Sequence, residues 1–148
     1  MPHEELKGRV LDTVTFPVEA GKIREFARAT LATSPIHEDP QSAAERGFAA
    51  VPAPPTFAVS VAHHRTVDEA SALGLDLRRV LHGEAAWEFF KPVVAGDVLT
   101  AHREVADVIQ REGGRGGRMT MIIIRTDFTT ADGALAIRQS DTIIERAA

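Results

Sequence analysis

The chain of 148 residues has no cysteine. That excludes a disulfide framework, a Cys-based zinc site and a thiol nucleophile. Positive charge is in short supply as well. Seventeen Lys and Arg stand against 21 Asp and Glu, for a net charge of −4. With no large basic cluster, nucleic acid is not an expected partner. Long apolar runs are also missing. The longest apolar run without a charge, Phe48 to His63, contains Pro52, Pro54 and Pro55, so it cannot form a membrane-spanning helix. The N-terminal Met1-Pro2-His3-Glu4-Glu5 is acidic and lacks the apolar core of a secretory signal. The cytoplasm is the expected compartment.

What remains is an ordinary globular balance, 44% apolar and 26% charged. The length fits one domain, residues 1–148. A domain of this size buries roughly 68–70% of its unfolded surface and needs no covalent staple. There are no internal repeats. Gly113-Gly114-Arg115-Gly116-Gly117 is the one low-complexity segment. No Gly-Lys-Ser/Thr follows it, so it reads as a hairpin tip rather than a phosphate loop.

Periodicity gives the elements. Val14, Phe16 and Val18 alternate within Asp12 to Glu19, which predicts a strand. Ile23, Phe26, Ala27, Thr30 and Leu31 share one face of a helix spanning Ala20 to Leu31. Asp39 before Pro40 predicts a capped short helix to Arg46, closed by Gly47. Thr56 is placed to cap Phe57 to His64, which is apolar nearly all round and predicts a buried helix. Thr66 to Arg79 reads as a polar connector. Four strands follow, near Leu81–Phe90, Leu99–Arg111, Arg118–Thr130 and Ala134–Arg146, with Asp132-Gly133 as a hairpin turn. Met119, Met121 and Ile123 oppose Thr120, Ile122 and Ile124. Both faces of that strand are apolar, so cover from a second chain is expected. The sum is an α+β arrangement, an antiparallel sheet wrapped around a central apolar helix.

Three stretches resemble the MaoC-like hot-dog family, chiefly its dehydratase branch related to type I fatty-acid synthases. They are Ser34-Pro35-Ile36-His37-Glu38-Asp39-Pro40, Ala53-Pro54-Pro55-Thr56-Phe57, and the run from His82-Gly83-Glu84 through Trp87-Glu88-Phe89 and Lys91-Pro92 to Ala95-Gly96-Asp97. The resemblance implies a hot-dog fold and a hydro-lyase of fatty acid metabolism, hydrating enoyl thioesters or dehydrating 3-hydroxyacyl thioesters. The thioester is carried on coenzyme A or acyl carrier protein, with no metal or redox cofactor. It also implies a homodimer, or a heterodimer with a catalytic MaoC-like subunit.

Adding water across an enoyl thioester needs a base for the water and an acid for the α-carbon. It also needs donors for the developing enolate oxygen. In active relatives an Asp and a His share the proton work, and backbone N–H groups at the central helix hold the oxygen. The resemblance places His37 at the histidine, with Ser34 at a motif asparagine. The aspartate position, five before His37, is Ala32. Pro55 falls where relatives carry glycine and has no N–H to offer. Pro55, Thr56, Phe57 and Trp87 are the implied substrate-binding residues. Relatives with this Ala-Pro-Pro-Thr-Phe pattern resemble non-catalytic halves that shape the acyl tunnel beside a catalytic partner.

Other readings stay open at this point. The chain is then a self-sufficient homodimeric hydratase using His37 with Glu38, Asp39 or Glu84, a non-enzymatic acyl-thioester binding module, or a thioesterase. His82 with Glu84 forms a structural or an acid–base pair on one strand face. Trp87, Phe89 and Phe90 read as core more than as pocket. Arg115 and Arg118 read as a solvated tip more than as phosphate contacts. His63-His64 suits a helix C-terminus rather than a metal.

Overall fold

The computed structural model describes residues 3–114 and 117–147. Arg115 and Gly116, part of the expected hairpin tip, lie outside the described residues. Strand β1 spans Val10–Pro17 and helix α1 spans Ala20–Ala29. Helix α2 is Pro40–Glu45 and α3 is Glu69–Leu73. Strands β2 to β5 are Val80–Phe89, Val98–Glu112, Arg118–Thr129 and Leu135–Arg146. All pair antiparallel in one sheet, ordered β1-β3-β4-β5-β2.

Helix α1 buries Ile23 and Ala27 against the sheet, as its period demands. It stops earlier than expected. Thr30 is the C-cap, and Leu31 takes the left-handed conformation at φ 58°. The Ala32 N–H then reaches back to the Ala27 carbonyl at 2.8 Å. A leucine in a position that favours glycine is strained. Asp39 caps α2 as expected, accepting from the N–H groups of Gln41 and Ser42 at 3.3 and 3.0 Å.

The segment expected to be a fully buried helix differs. Phe57–His64 is a 3-10 helix, and Thr56 makes no side-chain cap. Two turns are closed instead by Phe57 N–H to Pro54 and Val59 N–H to Thr56. Phe57, Ala58, Ser60 and Val61 are buried, while Val59, His63 and His64 are exposed. Three prolines at 52, 54 and 55 remove N–H donors just upstream, so no α-helical ladder can extend back through them. The connector also holds more structure than its polarity suggests. Asp68 caps α3 through Ser71, and Gly74 ends it at φ 67°.

The buried face of the sheet carries two apolar clusters. The larger gathers Phe16, Val18, Ile23, Val51, Phe57 and Phe128 among others. The smaller holds Leu6, Leu73, Val105, Ile122, Ile124 and Ile143. Between them one row of side chains crosses the sheet in register: Asp12, Arg103, Thr126, Gln139, Trp87. Arg103 is only 2% exposed. It donates to both Asp12 oxygens, at 3.1 and 2.6 Å, and to Glu69 of α3. A buried guanidinium is tolerated because those carboxylates satisfy it.

Strands β1 and β2 are the two sheet edges, and nearly all residues of β2 are exposed. Gly83 forms a bulge there, so His82 opposes Ile143 and Glu84 opposes Thr142. A Cβ at Gly83 would meet Ile144 Cδ1 at 2.7 Å. The bulge breaks the expected alternation of His82 and Glu84. His82 instead lies 3.2 Å from Asp141 of β5.

Candidate functional site

His37 ends a 3-10 turn, Pro35–His37, between α1 and α2. Pro35 fixes φ at the turn's start, and its carbonyl accepts from the Asp39 N–H at 2.8 Å. The imidazole is 8% exposed, and its Nδ1 lies 2.8 Å from the Pro52 carbonyl oxygen. A carbonyl only accepts, so Nδ1 carries the hydrogen. In the neutral ring, Nε2 is then the bare lone pair. It makes no hydrogen bond among the described residues and is not sealed from solvent. Pro52 is itself pinned by a bridge to Val94, with Ala53 N–H to the Val93 carbonyl at 2.8 Å.

His37 lines a groove of about 540 Å³. Buried Phe57 and Ile137 line its interior, and exposed Phe89, Phe90 and Lys91 line its mouth. Pro52, Ala53, Pro54 and Pro55 form one wall. None of the lining residues is Asp or Glu. The surroundings are apolar, with a single imidazole and a single ammonium stem.

The structure brings His37, Pro55 and Phe57 together at this groove. Ser34 and Thr56 are exposed and lie outside the lining. Trp87 is half-buried, packs against the larger cluster and stacks on Phe89 with ring centroids 6.3 Å apart. It does not line the groove. Phe89 and Phe90 were expected in the core, yet they are 51% and 53% exposed. They sit at the end of an edge strand that stops at Phe89, and about half of each residue's surface is uncovered among the described residues. Ile36, Phe48 and Lys91 also line the groove and carry no sequence signal of their own.

No carboxylate fills the gap at Ala32. Glu38 is tied to Arg28 at 2.8 and 3.2 Å, and that hydrogen bond holds its pKa below the ordinary range. Asp39 is spent on the α2 cap. Glu84 sits on the exposed edge strand. Among the described residues, no three His, Asp or Glu side chains cluster as a metal site. His64 packs its ring on Phe16, with centroids 5.4 Å apart. No helix in the described residues is long and apolar enough to cross a membrane.

The model for the FAS1-like dehydratase domain region matches residues 5–139. The chain belongs to this family. A UPF0336 protein of Clavibacter michiganensis subsp. michiganensis is 40% identical over 146 residues, 96% of this chain and 94% of its own. A chain of the HadBC (3R-hydroxyacyl-ACP dehydratase) complex from Mycobacterium tuberculosis superposes with a TM-score of 0.77 at 28% identity. That match covers 94% of this chain and 96% of the other. A solved MaoC-like dehydratase matches with a TM-score of 0.79, also at 28% identity. It covers 99% of this chain but 44% of that one. The fold is thus that of the MaoC-like hot-dog dehydratases. As a FAS1-like dehydratase region, the chain places the groove that His37 lines between the Phe57–His64 3-10 helix and the end of β2.

Proposed function

We propose that this chain is one half of an acyl-thioester hydratase or dehydratase, the half that shapes the groove for a catalytic hot-dog partner. The observation that carries this reading is the groove itself: an oriented imidazole, apolar walls, and no carboxylate among the lining residues. His37 Nε2 can accept one proton. Hydration needs a second group to protonate the α-carbon, and this groove offers no carboxylic acid for it, only the Lys91 ammonium at its mouth. Pro54 and Pro55 stand where donors for an enolate oxygen are needed, and neither has an N–H. Loss of an acid–base partner costs about 10²–10⁴ in rate.

The partner reading rests on the edge. Strand β2 leaves its outer backbone groups unpaired, beside exposed Leu81 and Phe89. An open edge of this kind pairs with another chain or aggregates. Antiparallel pairing of β2 with a partner's equivalent strand would cover both the edge and the aromatic mouth. Fatty acyl thioesters of coenzyme A or acyl carrier protein suit the apolar walls, and no further cofactor enters the chemistry. The homodimeric hydratase using a relocated acid is weakened by the positions of Glu38, Asp39 and Glu84, all outside the groove of one protomer.

The test is hydration of crotonyl-coenzyme A by the chain alone and together with a hot-dog chain carrying the Asp and His of active relatives. The pair is expected to exceed the chain alone by at least ~10² in kcat/KM. Robust hydration by the isolated chain that disappears in His37→Ala would overturn the half-site reading. Binding of acyl thioester with no rate in either case would favour a non-enzymatic module.

A further inference from the structure

Far from the groove, the other end of the sheet is basic. Strand β2 has ten residues, so its two ends are about 30 Å apart at ~3.3 Å per residue. At the Val80 end a polar cavity of about 450 Å³ is lined by Arg79, Arg118, Arg146, His3 and Glu145. A second cavity of about 600 Å³ shares Arg79, Arg118 and Arg146 and adds apolar Leu81, Met119 and Ile144. We propose that these adjoining cavities bind a phosphate ester or pyrophosphate, with an apolar or heterocyclic appendage against Met119 and Ile144. This inference does not rest on the reading of the groove.

The register builds the cluster. Arg146 of β5 opposes Met119, next to Arg118, and Arg79 leads directly into Val80, which opposes Glu145. The one lining carboxylate is already engaged. Glu145 lies 2.9 Å from His3 Nε2, accepts from the Asp76 N–H at 2.9 Å, and meets Arg79 at 3.4 Å. Burial raises its pKa, but those donors outweigh burial and hold it below the ordinary range. Asp76, beside Arg79, is paired bidentately with Arg78. Arg118 and Arg146 form no ion pair among the described residues. Arg79 is already flanked by two carboxylates, Asp76 at 3.3 Å and Glu145 at 3.4 Å, so Arg118 and Arg146 carry the positive charge that the cavities offer to a ligand.

Arg79 is held from behind, its Nε by Asp76 and its Nη2 by Glu145, so the free donors of the cluster among the described residues are those of Arg118 and Arg146. Guanidinium forks match carboxylate and phosphate alike, but two arginines side by side suit the greater charge and oxygen count of a phosphate. The shared apolar wall then selects a phosphate that carries something flat or greasy.

Calorimetric titration of the full chain with inorganic pyrophosphate at low ionic strength tests this. One saturable site per chain is expected. Affinity should fall at least tenfold in the Arg118→Ala/Arg146→Ala double variant. It should hold in Arg111→Ala, which removes an exposed arginine of β3 outside both cavities. No saturable binding, or an equal loss in Arg111→Ala, overturns the site. Competition separates two sources of the same chemistry. Coenzyme A competing at least tenfold better than ADP assigns the ligand to a thioester carrier, while equal competition assigns it to a free nucleotide. Hydration assays fail or succeed independently of these titrations.

Discussion

The two ends of the sheet are built by opposite means. At the groove end, loops rich in proline hold an imidazole among apolar side chains, with no carboxylate in the lining. At the far end, the β4–β5 register sets Arg118 and Arg146 side by side, and the turn Leu77–Arg79 adds Arg79 beside a saturated glutamate. The larger apolar cluster supports the first and the smaller supports the second. The row through Arg103 separates them. The contrast teaches that a site with a chemical role is assembled from chain segments that have escaped secondary structure, whereas an electrostatic site needs only adjacent strand termini.

The strongest way to break the comparison is to remove the divider. Arg103→Ala leaves Asp12 buried without its partner and frees Glu69, so a loss of about 3–5 kcal/mol in urea unfolding is expected. A loss below about 1 kcal/mol would mean that the row holds nothing together. Placing charge on the open edge comes next. Leu81→Lys with Phe89→Lys puts two ammonium groups on β2 and should convert an associated species into monomers in sedimentation velocity. An unchanged sedimentation coefficient would remove β2 from the interface.

Acid should sharpen the contrast. Asp76 is held at about 2 by the hydrogen bonds from the Arg78 side chain and N–H, against an ordinary value of 3.8. A depressed carboxyl contributes stability that is complete above its unfolded value and is lost as pH falls through the folded one. Between pH 4 and 2 the turn that Asp76 caps should therefore lose hydrogen-exchange protection. Unchanged protection across that window would contradict this. The smallest effect belongs to α1. Leu31→Gly relieves a left-handed leucine that is 80% exposed and should raise stability by about 0.5–1 kcal/mol, read as a higher urea midpoint.

Much of this was legible in advance. The strand limits follow from alternation and turn residues, and Asp39-Pro40 announced its helix because the cap is a local interaction. His37, Pro55 and Phe57 came from motif resemblance, and the groove does gather them. The misreadings share a cause. The 3-10 form of Phe57–His64 depends on proline-stripped donors that an apolar pattern does not register. Helix α3 hides in a polar run, although Asp68 and Gly74 bracket it as caps do. The His82–Glu84 pairing failed because one glycine tucks under Ile144 and shifts the register. Phe89 and Phe90 looked like core because composition cannot tell an inner strand from an edge. Lys91, and the meeting of Arg79, Arg118 and Arg146, depend on neighbours far apart along the chain.

The carbonyl of Pro52 has one more consequence. It accepts from His37 Nδ1 whether the ring bears one hydrogen or two. The imidazole can thus gain and release a proton at its other nitrogen without turning, and the anchor never has to let go. In the half-site reading proposed above, that fixed pivot would let the ring reset after each turnover.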